Sequence, residues 1–311
     1  MELPIPANAL QFDKLYHDEE NCLRALILAK WPNGFVCPAC GSDRGWELTT
    51  RPVVECAACG HQASALAGTL FHGAKLPLSV LFRMVYMLVA EKSGTNMCAL
   101  SRQCGVSYPT AVLWARKIRR AMVRPEREEL SGTVEVDETT LGGPAPGHPG
   151  RKLGPNQALV LVLVEDAGGN SCGRVRLEAV ESASAEHLGN AVRENVEFGS
   201  TLRTDGWASY AGLTGYESVV RKLRGGANAS EELPLVHRVA SLLKSFVGGV
   251  LHGRWTKTWL PDLLEEFTFR FNRRRSRRRP LLFNRVLQHG VTKRPPTRQR
   301  LRTYAMVMGG A

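Results

Sequence analysis

Apolar residues recur at helical intervals over the first part of the chain, at alternate positions over the middle, and at helical intervals again toward the C-terminus. Residues 13–30 place Leu15, Cys22, Leu23, Leu26, Ile27 and Ala29 on one helical face, with Asp13 in position to cap it. Residues 45–55 alternate as two short strands. From Pro77 to Pro125 the period is helical throughout, with helices expected over 78–91, 95–103 and 108–123. Gly105, Val106 and Ser107 separate the last two, which is helix-turn-helix spacing. Beyond Gly132 the period becomes two. Strands are expected at 133–137, 158–165 and 173–180, then a helix at 183–196, strands at 200–204 and 218–222, and a long helix at 233–251. The order is βββαβαβα, with one helix reduced to residues 207–213, and it defines an α/β class fold. A further helix covers 260–272, and helical character persists to about Gly290.

A chain of 311 residues has room for two cores and needs no disulfide staples. At 43% hydrophobic and 23% charged it is neither disordered nor fibrous. Forty-one Lys and Arg against 29 Asp and Glu leave a net charge of +12, which calls for a polyanionic partner: nucleic acid, or an anionic membrane surface. The longest apolar stretch, 76–90, is interrupted by Arg83 and is too short to cross a bilayer, so no membrane span is expected. Glu2 and the lack of an apolar run in residues 1–10 argue against export and for a reducing cytoplasm.

Cysteines in that compartment point to metal or buried thiols. Cys37 and Cys40, then Cys56 and Cys59, form two CxxC pairs with 15 residues between them, each closed by glycine. This is the spacing of a structural Zn2+ ribbon, in which backbone N–H groups face thiolates and the metal replaces a core that some forty residues cannot build. Cys22, Cys98, Cys104 and Cys172 are single and read as packing. The 108–123 helix carries Arg116, Lys117, Arg119 and Arg120, cations suited to phosphates beside a major groove. Arg151 and Lys152 end a Gly/Pro-rich loop, read either as a strap over DNA or as an ordinary connection. Residues 270–279 hold seven arginines, Arg273, Arg274 and Arg275 among them, a density that repels itself unless a polyanion lies against it. Asp137 and Asp205 each end a strand. Carboxylates at neighbouring strand ends can hold two divalent cations, but a strand-end Asp also caps turns, and taken alone the pair favours capping. Trp207 and Tyr210 read as packing aromatics or as platforms for an unpaired base.

The tracts CPACG, CAACGH, VEVDETTLGG, TDGWASY, HRVASLLK and EEFTFRFNRRRSR, in that order, resemble the zinc-ribbon, ISXO2-like insertion-sequence transposases, which join a zinc ribbon to a DDE-type catalytic domain. The resemblance spans residues 31–279. It implies an α/β fold with an RNase H-like mixed sheet and flanking helices, preceded by a zinc ribbon and a helix-turn-helix unit. The corresponding segments are an N-terminal helix (1–30), zinc ribbon (31–75), helix-turn-helix (76–130), catalytic domain (131–275) and basic tail (276–311). It further implies binding to double-stranded DNA, both terminal inverted repeats and target, by a homodimer or higher oligomer. Strand cleavage and strand transfer would depend on Mg2+ or Mn2+, and Asp137 and Asp205 match the family's first two catalytic acids.

At the third position the sequence departs, because no acid occurs in 233–251. Alignment by spacing lands on Leu242, a packing residue in character. Alignment on SLLK lands on His237, with Lys244 seven residues later on the same helical face, and His237 is the reading adopted. It would complete the metal site or instead orient water or phosphate, while Lys244 contacts a phosphate; a lone histidine on a helix also reads as a packed or solvent-facing residue. The rival reading is a zinc-ribbon DNA-binding regulator, or a transposase that has lost catalysis, and it rests on the missing acid.

Overall fold

The computed structural model describes residues 3–48, 51–91, 93–124, 127–142, 153–154, 156–221, 232–251, 256–276 and 281–292. It comprises two compact units, one formed by Met1–Arg124 with Ser276–Leu301 and the other built on Pro125–Arg275.

In the first unit two helices, α1 (Ala9–Leu15) and α2 (Glu19–Lys30), replace the single one expected over 13–30. The break falls where Asp18 caps α2, its Oδ1 accepting from the Asn21 N–H at 2.7 Å, while Asp13 lies inside α1. Strands β1 (Gly45–Glu47), β2 (Val53–Cys56) and β3 (Gln62–Ser64) form an antiparallel sheet. The third strand is three residues long, too short to show alternation. Helices α3 (Leu78–Ala90), α4 (Met97–Cys104) and α5 (Tyr108–Ala121) follow the expected order. Gly105 closes α4 at φ 62°, a left-handed conformation cheap only for glycine, and Ser107 opens α5 by accepting from the Thr110 N–H.

The segment read as a basic tail supplies a helix, Leu281–Thr292, to this unit. Its fully buried Phe283 meets Phe12, Tyr16 and Phe82 at ring-centroid distances of 5.6, 5.2 and 5.7 Å. Burying one such ring is worth roughly 1.5–3 kcal/mol. The helix therefore belongs to the core, and the basic residues around it hid its apolar face from a reading based on charge.

The second unit is a five-stranded mixed sheet in the order β6-β5-β4-β7-β8. Strands β4 (Thr133–Leu141), β5 (Ala158–Asp166) and β6 (Cys172–Val180) form an antiparallel meander, and β7 (Thr201–Thr204) and β8 (Glu217–Val220) continue it in parallel on the other side of β4. Helix α6 (Ala185–Asn195) carries the chain from β6 to β7, the crossover that a parallel strand requires. It covers one face through Leu188, Ala191 and Val192 against Val134, Val136, Leu161 and Leu202. Helices α7 (Pro234–Leu251) and α8 (Leu260–Asn272) cover the other, where Val239, Leu243, Leu263 and Phe267 meet Val160, Val162 and Val164. With both faces covered, β5 can be apolar without alternation. This is the RNase H-like mixed sheet with flanking helices. The reduced helix is a 3₁₀ turn, Ala208–Tyr210. Among the described residues no helix is long and apolar enough to cross a membrane.

Leu242 is 47% exposed on α7, so its reading as a packing residue is wrong; Leu243, beside it, is fully buried. Leu243→Ala should lower unfolding stability by about 2–5 kcal/mol, and Leu242→Ala should stay within ~0.5 kcal/mol. Denaturant unfolding of the two variants checks the assignment, and equal losses would contradict it.

Candidate active site and metal-binding cysteines

The four paired cysteines converge, with their Sγ atoms all within 4.8 Å of one another. Cys37 and Cys59 are 3.7 Å apart, and Cys40 and Cys56 3.6 Å. Four thiolates at ~2.3 Å from a tetrahedral Zn2+ stand ~3.8 Å apart, so the donor set fits zinc. The knuckles form because Gly41 and Gly60 take φ of 75° and 69°, letting their N–H groups turn back onto the carbonyls of Cys37 and Cys56. Burial raises the Cys56 thiol, but the Ala58 and Cys59 N–H groups and the thiols of Cys40 and Cys37 outweigh it and bring it down to about 6. Hydrogen bonds among the same thiols push Cys40 and Cys59 up, so without a cation Cys56 is the thiol the cluster favours as a thiolate.

In the second unit Asp137 does not end its strand. β4 runs on to Leu141, paired with β5, and it is β7 that stops, at Thr204. The last parallel pair is Glu135 with Arg203, and two residues on from it come Asp137, still within β4, and Asp205, one residue past the end of β7. Alternation along β4 sends Val134, Val136 and Glu138 toward α6, and Glu135 and Asp137 toward α7. On that face His237 Nε2 lies 3.8 Å from Asp137 Oδ2, within the ~4.2 Å that two donors at ~2.1 Å from a shared cation can span. Lys244 is exposed two turns along α7. Among the described residues the cysteines are the one set with three or more donor atoms within 4.8 Å, so Asp205 is not gathered as closely onto Asp137 and His237.

Glu138 is an acid that its neighbourhood to Asp137 might recommend as a third ligand, yet it points to the opposite face, where the Tyr210 hydroxyl donates to its Oε2 at 2.6 Å. Tyr210 is 4% exposed. Burial above all, then the charge of Glu138 and the hydrogen bond to it, then the charges of Asp137 and Asp205, push its phenol far above the ordinary range. Of the two roles weighed for Tyr210 the structure supports packing, since a buried ring offers no platform for a base. Trp207 stays 43% exposed, and its N–H donates to Asp205 Oδ1, folding the chain back just past β7.

The proposed DNA contacts sort less simply. Arg116 and Arg119 are buried, and Lys117 lies half-buried over the Trp114 ring at 4.5 Å, burial lowering its ammonium. Arg120 is half-buried. These cations sit toward the C-terminal end of α5, which packs into the unit. The exposed end is the N-terminal one, with Ser107, Tyr108 and Pro109, beside Arg102 and Gln103 of α4. The sequence reading followed charge and missed it; the signal was the Gly105 turn, which aims the start of α5 outward.

Among the arginines, Arg273 lies 4.2 Å from the Phe269 ring and Arg274 4.0 Å from that of Phe271. Arg274 also donates to the carbonyls of Phe271, Gly173 and Cys172, and Arg275 to Ser171 Oγ at 2.6 Å. Arg274 thus closes the end of β6 on α8, a structural role the charge run does not reveal. Asn272 works alike, its side chain pairing with both backbone groups of Val175. Arg151 and Lys152 lie outside the described residues.

Residues 129–272 match the ISXO2-like transposase domain, and residues 17–62 match the transposase zinc-ribbon domain. A search of curated proteins finds no match.

Proposed function

From the membership of this chain in the ISXO2-like transposase family, we propose that it binds the terminal inverted repeats of its own insertion sequence and catalyses metal-dependent DNA cleavage and strand transfer, acting as a homodimer or higher oligomer in the bacterial cytoplasm. The observation that carries this is His237 lying 3.8 Å from Asp137 on β4, with Asp205 directly following β7, the parallel neighbour of β4. Asp137, Asp205 and His237 would hold Mg2+ or Mn2+. Bound there, the metal polarises the scissile phosphodiester and makes water a nucleophile near neutral pH. Lys244 neutralises a neighbouring phosphate. Attack by water on phosphorus breaks the bond to the 3′-oxygen, leaving a 3′-hydroxyl at the element's end and a 5′-phosphate on the flank; that hydroxyl then attacks a target phosphodiester, forming a new P–O bond and displacing the target strand's own 3′-oxygen. The zinc ribbon (31–75) and the helix-turn-helix (76–130) read the ends, the latter through the exposed start of α5. Incubating the full chain and Mn2+ with a plasmid bearing the element's two ends tests the proposal: it requires nicks at those ends.

The imidazole has a consequence for metal choice. Magnesium demands near-octahedral oxygen ligands, whereas manganese accepts nitrogen more readily. Wild-type nicking should favour Mn2+, His237→Glu should shift the preference toward Mg2+, and His237→Ala should lose nicking but keep end binding. Full nicking by His237→Ala in either metal removes His237 from the site.

Division of labour on DNA is also testable. Arg273→Gln with Arg275→Gln should weaken binding to all sequences alike and flatten the salt dependence by about 0.9 per lost phosphate contact. Tyr108→Ala should change preference among sequences. The assignment fails if the arginine variant alters preference at an unchanged salt slope.

One observation favours a second reading, a DNA-binding protein without cleavage chemistry: Asp137, Asp205 and His237 do not gather within 4.8 Å as a three-donor set. A wild type that binds ends and never nicks them would select it.

A further inference from the structure

One residue of the VEVDE tract has been given no part in the chemistry. Glu135 is two positions before Asp137 on the same face of β4, and its side chain is fully buried. Its Oε1 meets Arg203 Nη1 at 3.3 Å, across the last parallel pair between β4 and β7. Arg203 stands two positions before Asp205 and also reaches Asp166 at 3.2 Å. The other oxygen, Oε2, accepts from the Leu235 N–H at 2.8 Å and the Val236 N–H at 3.2 Å. Helix α7 begins at Pro234, which has no N–H, so these are the first two donors the helix has to satisfy. The next residue is His237.

We infer that Glu135 is a positioning residue that holds all three proposed site residues in place, an inference that rests on the catalytic reading above. A single carboxylate ties the β4–β7 register, one layer beneath Asp137 and Asp205, to the first turn of α7, which carries His237 to Asp137. A slip of β7 by one residue would turn Asp205 to the opposite face. An α7 freed from Glu135 would be held by apolar packing, which leaves rotation and sliding open. Stability alone does not account for the arrangement, because an apolar pair of similar volume commonly replaces a buried ion pair at no cost. What an apolar pair lacks is the acceptor that fixes the helix end.

The test compares the full wild-type chain with Glu135→Gln, which keeps an acceptor for the two amides, and with the double variant Glu135→Leu, Arg203→Met, which fills the space without one. The readouts are amide hydrogen exchange at Leu235 and Val236, Mn2+ binding by calorimetry without DNA, and nicking. In the double variant exchange at the two amides should quicken by about tenfold or more, and Mn2+ affinity should fall by about tenfold. Zinc content and the protection of β5 should stay at wild-type levels, and Glu135→Gln should retain most of the protection and affinity. Unchanged exchange in the double variant, or quickened exchange with unchanged Mn2+ affinity, overturns the inference. A wild type that binds no Mn2+ overturns the catalytic reading instead, and the exchange arm then judges whether Glu135 holds α7.

Discussion

Asp137→Asn and Asp205→Asn are each expected to reduce nicking of the element's ends by ~10³-fold or more, about 4 kcal/mol of barrier, with end binding unchanged. Asparagine keeps the volume of each side chain, so the sheet should fold as before. What it removes is the negative charge that holds divalent cations against a polyanionic substrate. The two losses should not add, because a site deprived of either carboxylate has already lost its metal arrangement. Binding is spared because the residues expected to read DNA lie in the first unit and in the arginines after α8. Nicking of plasmid ends beside a gel-shift measurement on the same preparations gives both numbers. Wild-type rates in the double variant would place the chemistry elsewhere.

The second large effect concerns zinc. Cys37→Ser with Cys56→Ser takes one thiolate from each knuckle and should reduce the metal from about one zinc per chain to almost none. The three strands of the ribbon are too short to fold on their own burial, and structural zinc contributes about 10–16 kcal/mol of apparent binding energy in comparable small domains. The ribbon should therefore unfold, becoming protease-sensitive around residues 37–60, while the five-stranded sheet keeps its exchange protection. Sequence-specific binding should fall and the non-specific component survive. Metal analysis with limited proteolysis reads this directly, and an undiminished zinc content in the double variant would show that the four cysteines are not the ligands.

How far these features were legible in the sequence follows from how local each one is. The zinc knuckles are written in contiguous CxxCG tracts, and β5 in an unbroken apolar run, so both could be read directly. Asp137 and Asp205 could be named from the tracts around them, but bringing them to neighbouring places depends on a parallel register between segments 68 residues apart, 205 minus 137, which alternation does not encode. The end of β4 was misjudged because Asp137 interrupts the apolar pattern while the backbone pairs on with β5 to Leu141. Charge misled in both directions. Arg116 looked like a phosphate contact and is buried, and Arg274 looked like part of a polyanion-binding run and closes a strand. Glu135 was invisible, because its partners are backbone amides 100 and 101 residues away.

The central claim is that Asp137, Asp205 and His237 together hold the catalytic cation. Anomalous diffraction at the manganese edge, from crystals of the full chain with end DNA and Mn2+, tests it most directly. The account predicts a peak within ~2.3 Å of a carboxylate oxygen of both Asp137 and Asp205, with His237 Nε2 in the same shell. A peak bound by other residues, or no peak beside Asp137 while the DNA is in place, would contradict it.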